Sequence, residues 1–160
     1  QMLGLQSGQH CVKFTAVFDA CGWNMNATCK PMGISLMICD QVITETGTNK
    51  KSLIGVFNSI SAGQFPCRHP KICIFVSITG GHGKTKSRVC CINEKTGQTL
   101  FGAEGEIEFV NPNHVVEAVF ESNNVMFPAP GLHCIEVLSD GELVLQRRFA
   151  VRQIKAEEPQ

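Results

Sequence analysis

The 160-residue chain has no tyrosine, a single tryptophan (Trp23) and no excess of charge of either sign, its 14 Lys and Arg matching its 14 Asp and Glu. Acids and bases are interspersed without a basic stripe, so the electrostatic handle that nucleic acid needs is missing. No apolar run approaches the roughly 18 to 20 residues of a membrane-spanning helix. Neither nucleic acid nor a membrane is therefore expected as a partner. No segment carries a long helical stripe, and the first thirty residues lack the basic-then-apolar order of a secretory signal. The chain opens on Gln1. A soluble, intracellular protein is expected, of a length that suits one domain with its own core.

What the chain does have is cysteine: Cys11, Cys21, Cys29, Cys39, Cys67, Cys73, Cys90, Cys91 and Cys134. The number is odd and no compact disulfide framework is visible. Cys39, Cys73, Cys90, Cys91 and Cys134 lie in apolar, strand-like runs, where a free thiol behaves as a small hydrophobe. Reduced, structural cysteines are the expectation.

Strand formers recur in short blocks between turn residues. Leu36 to Ile43 reads as a strand, Thr46–Asn49 as a turn, and Ser52 to Phe57 as the return. Asn58 to Pro70 reads as an irregular connection, after which Ile72, Ile74, Val76 and Ile78 alternate to give one buried face. Gly80 to Gly83 is a loop, Ser87 to Ile92 a strand, and Glu94–Gly97 a tight turn. Gln98 to Val110 is predicted to face Ile107 and Phe109 inward, and Glu104, Glu106 and Glu108 outward as an acidic stripe. Asn111–Asn113 breaks the chain and Val115 to Phe120 forms a further strand. The break Phe127–Gly131, the alternation His133–Val137, the Asp140–Gly141 turn and the return to Val151 spell a closing hairpin. In that return Leu143 and Leu145 are expected inside; strict alternation would then bury Arg147, and a bulge or strand end near Gln146 is expected instead. Residues 1–33 look different: Val12, Phe14, Ala16 and Phe18 alternate, Ala20 to Pro31 follows no period, and Asn26-Ala27-Thr28 is a sequon that matters only in a secreted protein.

From about Met37 to Val151 the chain is similar to a family of small bacterial proteins classed as a domain of unknown function. The phrases that carry the resemblance are Cys39–Ile43, Ser52–Phe57, Phe65-Pro66 with His69-Pro70, Phe127-Pro128 with Pro130-Gly131, and Asp140–Glu142 before Arg148-Phe149. The resemblance implies an immunoglobulin-like β-sandwich; with no secretory signal visible, a bacterial cytoplasm is the expected location. It brings no established activity, and so no catalytic residues. Two departures stand out. The family implies an aromatic, usually Tyr, where this chain has His133, and residues 1–33 have no counterpart.

Three constellations resemble chemistry. Gly80–Thr85 ends in Gly83-Lys84-Thr85 after an apolar strand, as phosphate-binding loops do. The full pattern needs glycine where Ile78 stands, and a helix must follow, whereas Ser87–Ile92 reads as a strand. Cys67, His69 and Cys73 could offer three metal ligands, with His82 or His133 as a fourth. Zinc usually takes paired short spacings such as Cys-x-x-Cys, and none exists here. Cys67, beside Arg68 and His69, is the best candidate for a thiol nucleophile, but no Cys-His signature supports it.

The expectation is one all-β domain over residues 34–153: a single antiparallel, immunoglobulin-like sandwich of seven to nine strands. Residues 1–33 form an N-terminal extension and residues 154–160 a polar tail. The favoured function is a non-catalytic interaction or ligand-binding module, without cofactor or metal, whose partner is another protein or further copies of itself. Alternatives are a nucleotide- or thiol-dependent enzyme centred on Gly80–Thr85 or Cys67, and a structural subunit assembling through a sheet edge. If the Gly80 loop only joins strands, Lys84→Ala changes stability by no more than about 0.5 kcal/mol in a denaturant melt. Millimolar nucleotide with magnesium then leaves Tm unmoved. A nucleotide-induced shift that Lys84→Ala abolishes would reinstate the phosphate loop.

Overall fold

The computed structural model describes residues 30–154. The alternation over residues 12–18, Trp23, the sequon, Cys11, Cys21, Cys29 and residues 155–160 lie outside the described residues. Nine strands follow in chain order: β1 Met32–Thr44, β2 Lys51–Val56, β3 Ser59–Ala62, β4 Cys67–Thr79, β5 Gly83–Asn93, β6 Thr99–Phe109, β7 Val116–Phe127, β8 Gly131–Ser139 and β9 Glu142–Gln153. They form two sheets, ordered β2-β1-β4-β7 (sheet A) and β3-β9-β8-β5-β6 (sheet B). The predicted sandwich is there, antiparallel except that β3 runs parallel to β9.

The core follows from the alternation. Ile72, Ile74, Val76 and Ile78 of β4 meet Leu36 and Ile38 of β1 and Ala118 and Phe120 of β7 on the inner face of sheet A. Val89, Cys91, Phe101, Ile107, Phe109, Ile135, Val137, Phe149 and Val151 line sheet B opposite them. Each large side chain so buried contributes about 1.5–3 kcal/mol of apolar transfer.

Three expectations need correction. Asn58–Pro70 is not irregular throughout, since it holds β3 and the first four residues of β4. Pro70, which lacks a backbone donor, sits within β4 between the pairs His69↔Val125 and Lys71↔Asn123. Beside it on β7, Asn124 takes a left-handed φ of 54°. Two strand-averse residues therefore face each other and interrupt the ladder once instead of twice. For the same reason β7 runs on past Phe120 through the polar stretch Glu121–Asn124.

The third correction concerns the closing hairpin. Its bulge falls at Val144, because Val137 pairs with Leu145 while Leu138 pairs with Leu143. Leu143 is thereby turned out and is 53% exposed, and Arg147 is turned in. Its guanidinium donates at 3.0 Å to the carbonyl of Leu36, on the stretch of β1 that β2 does not cover. The cation is tolerated inside because it satisfies an edge carbonyl of the opposite sheet.

β1 stays paired with β4 only as far as Cys39↔Cys73. Beyond it, Asp40–Thr44 run with β2 alone, forming a two-stranded arm. The arm folds across the outer face of sheet A. Cys73 Sγ lies 3.3 Å from the Asp40 carbonyl, and Lys51, at the arm's far end, reaches Glu117 of β7 at 2.9 Å. On that outer face Cys39, Cys73, Phe75 and Ser77 are all buried, so β4 is covered on both sides.

Gly81 shows that a glycine of the Gly80 loop serves packing. It is buried, its φ is not left-handed, and a Cβ built there would overlap the ring of Phe109. Gly81→Ala is expected to destabilise the domain by about 1–3 kcal/mol, as overpacking does. A denaturant melt showing no loss would mean that Phe109 can swing clear.

Candidate functional site

β5 begins at Gly83, so the stretch after the Gly80 loop is strand, and the described residues contain no helix to stand behind an anion. Lys84 points out of sheet B and lies 3.4 Å from Glu106. Thr85 points inward, its hydroxyl buried and without a hydrogen-bond partner among the described residues. The three residues Gly83, Lys84 and Thr85 thus do not converge on a common point.

Lys84 belongs instead to a charge ladder. Lys84, Lys86 and Arg88 of β5 stand directly opposite Glu108, Glu106 and Glu104 of β6, and Arg88 lies 3.7 Å from Glu104. The sequence reading found the acidic stripe and missed its partner. The signal was there, because both triplets stand at mirrored distances from the Glu94–Gly97 turn, so a hairpin must oppose them. Between Lys86, Arg88, Glu104, Glu106, Leu138 and Gly141 the outer face of sheet B holds a groove of about 530 Å³. Its charges neutralise one another, and such exposed pairs contribute only about 0–1 kcal/mol each.

The metal candidates Cys67, His69 and Cys73 share β4 but not a site. Cys67 packs against the core. His69 lies 5.5 Å, ring to ring, from Phe57, with Nε2 3.7 Å from Asp40. Cys73 is buried farther along. His82 is exposed beyond the other end of β4, about 40 Å from Cys67 at strand rise, and His133 is enclosed in sheet B. No three His, Cys, Asp or Glu side chains among the described residues could together hold a metal ion.

What does converge lies under the arm. Cys39 and Cys73 are directly opposed. Glu121 Oε1 is 3.7 Å from Cys73 Sγ and 2.9 Å from Lys71 Nζ. Burial pushes the Cys73 thiol up to about 11, with Lys71 pulling it down less strongly and Glu121 and Cys39 adding to the rise. Burial raises Cys39 and Cys67 too, and takes Cys91 up to about 12. A catalytic thiol needs the opposite shift. At Cys67, the candidate nucleophile, no general base is positioned by the structure: Arg68 is exposed and His69 is turned to Phe57 and Asp40.

His133 stands where an aromatic was implied, and the structure treats it as one. It is fully buried, stacked on Phe149 at 5.5 Å and edge-on to Phe127 at 5.1 Å. Nε2 is 3.5 Å from the Asn93 amide, and Nδ1 has no partner in hydrogen-bonding geometry among the described residues, though the nearby Gly131 backbone favours a proton. Burial outweighs that help and that of Glu94, and lowers the His133 pKa from its ordinary 6.5. Above that value the ring is neutral in both states and adds no slope. Between it and the lower folded-state value, the unfolded chain binds the proton and the folded chain does not, so stability falls as pH drops. Below the folded-state value both are protonated and the slope ends. His133→Phe is expected to remove this component of acid sensitivity in melts from neutral pH to about pH 5. An unchanged pH profile in the variant would show that His133 is not the group responsible.

No helix of the described residues is long and apolar enough to cross a membrane. No curated protein matches the chain. Among solved structures it is similar to the Pseudomonas fluorescens alkylpurine DNA glycosylase AlkC, bound to DNA containing an abasic-site analogue. That match has 15% identity and a TM-score of 0.45, covering 78% of this chain but only 31% of the glycosylase. It is also similar to an immunoglobulin-like protein from Pseudomonas aeruginosa, at 14% identity and a TM-score of 0.37, over 79% of this chain and 100% of that one. The family evidence is of another kind: one family model matches residues 34–152, from within β1 to within β9, and so takes in every strand of both sheets. The chain belongs to the family of unknown function DUF6941.

Proposed function

We propose that the protein is a non-catalytic interaction module that receives an extended segment of a partner protein along the edge of β2, which is free among the described residues. The observation that carries this reading is the contrast among the four strands that stand at sheet edges among the described residues, β2, β7, β3 and β6. Natural edges are blunted by shortness, charge or irregularity. β3 has four residues, β6 carries Glu104, Glu106 and Glu108, and β7 is broken by the left-handed Asn124. β2 has only Gly55, whose left-handed φ of 66° fits it against Asp40.

The arm's two faces differ. Val42 and Leu53, directly opposed, are half-buried. Ile43, Ile54 and Val56 are exposed, at 44–47% each. Lys51, which the arm turns inward, is already paired with Glu117. A neutral edge with exposed apolar side chains fits strand addition, in which main-chain hydrogen bonds supply affinity and alternate side chains supply specificity. The raised thiols and the self-neutralised groove support a binding role over a catalytic one. Fold alone does not assign function.

A blocked decapeptide of alternating valine and threonine serves as the probe, followed by amide chemical shifts of the labelled protein. Shifts are expected to concentrate at Lys51–Val56, and to vanish in Ile54→Lys and with a peptide interrupted by proline. Sedimentation without peptide tests a second copy as the occupant. Shifts confined to β3 or β6, or none at millimolar peptide, would overturn the β2 reading.

A further inference from the structure

The cluster beneath the arm holds a feature independent of the β2 edge. Six cysteines among the described residues are free thiols. Only certain pairs of them could ever be joined. Cys90 and Cys91 are neighbours on opposite faces of β5. Cys90 stands opposite Glu136 while Cys134 stands opposite Ile92, so these two meet only diagonally, at about 7–8 Å. A disulfide needs Cα atoms roughly 4.4–6.8 Å apart. Cys39 and Cys73 are different, because they occupy one rung of the β1–β4 ladder, and opposed residues of an antiparallel pair have Cα atoms about 4.5–5.5 Å apart.

We propose that Cys39 and Cys73 form a site of reversible disulfide modification, oxidised by a small-molecule disulfide such as oxidised glutathione. Both side chains leave the sheet on the same outer face, away from the Ile72 and Ile74 core, and neither belongs to the inner cluster. Opposed Cβ atoms lie about 4.5–5.5 Å apart, so closing the bond asks for about 1 Å of local adjustment. Sγ of Cys73 gives up its contact with the Asp40 carbonyl, and Sγ of Cys39 its 3.5 Å contact with the Gln41 carbonyl.

The chemistry is thiol–disulfide exchange. One cysteine loses its proton to solvent and attacks a sulfur of the reagent, whose S–S bond breaks and releases one glutathione thiolate. The second cysteine then loses its proton, attacks the protein sulfur of the mixed disulfide and expels the second glutathione thiolate. Both thiolates take up protons. Two protein thiols are oxidised to one disulfide, and one reagent disulfide is reduced to two thiols. Because both cysteines are fully buried, the first attack waits on displacement of the Asp40–Val56 arm, so the reaction is slow and quickens as pH rises.

The test is to incubate the full chain with millimolar oxidised glutathione at mildly alkaline pH, quench with alkylating agent, and map disulfides by non-reducing digestion and mass spectrometry. The expected result is an intact mass lower by two hydrogens and a crosslink between Cys39 and Cys73 that dithiothreitol reverses. Cys39→Ser and Cys73→Ser each abolish it, and Cys90→Ser and Cys134→Ser leave it. The wild-type map identifies the pair even if a serine variant fails to fold, and near-UV circular dichroism checks that the oxidised sample is native. A folded protein that stays reduced, carries glutathione without closing the bond, or pairs other cysteines instead overturns the proposal.

Discussion

Burial of β4 on both faces is the constraint on which the rest of the structure depends. Its inner isoleucine and valine row closes the core against sheet B, and its outer row of Cys73, Phe75 and Ser77 has to be kept from water by something other than a second sheet. The arm made by the end of β1 and by β2 crosses that face. Because Asp40–Thr44 cannot pair with β4 and cross it at once, the arm leaves the sheet, and its own edge is left open. The buried thiols beneath the arm and, among the described residues, the unpaired edge above it are thus two results of one departure at Cys39. The arm's anchorage is slight: half-buried Val42 and Leu53, and a Lys51–Glu117 pair in which the glutamate is still 39% exposed.

Much of this architecture was legible in the sequence, and what was missed had a physical reason. Strict period-two alternation placed Ile72–Ile78, Ile107 with Phe109, and Ile135 with Val137 on the inner faces, because half-buried strands have no other way to separate water from core. The lost segments are those where pairing overrode local preference. Pro70 argued against a strand, and Ser122–Asn124 carried little strand propensity. Each is held by its neighbour across the β4–β7 ladder, and no one-dimensional pattern displays that neighbour. Arg147 was misjudged by where the bulge was put. The sequence demanded an irregularity in the return strand, but a bulge at Val144 and one near Gln146 look alike until Leu36 offers its carbonyl.

The site was less legible than the fold. Gly83-Lys84-Thr85 looked like phosphate chemistry because the same residue types suit a tight turn and a cross-strand ion pair. Cys67, His69 and Cys73 looked like ligands because proximity in sequence is not proximity around a point. The Cys39–Cys73 rung, separated by two intervening strands, has no local signature at all. His133 was the exception. The alternation and the implied aromatic both placed it inside, and its neighbours Phe127 and Phe149 are what an aromatic ring would have found there.

The extra residue at Val144 has a consequence for how this chain can vary. Nothing after it in β9 owes its facing to that insertion. Leu145, Arg147, Phe149 and Val151 face inward because they stand opposite Val137, Ile135, His133 and Gly131 of β8. Deleting Val144 would leave these pairs, and Leu143 opposite Leu138, as they are and close the bulge into a regular ladder. The cost of losing this residue is therefore local, the packing of its half-buried side chain against the core. Sequences sharing this hairpin can differ by one residue here and still keep the same inward row from Leu145 to Val151.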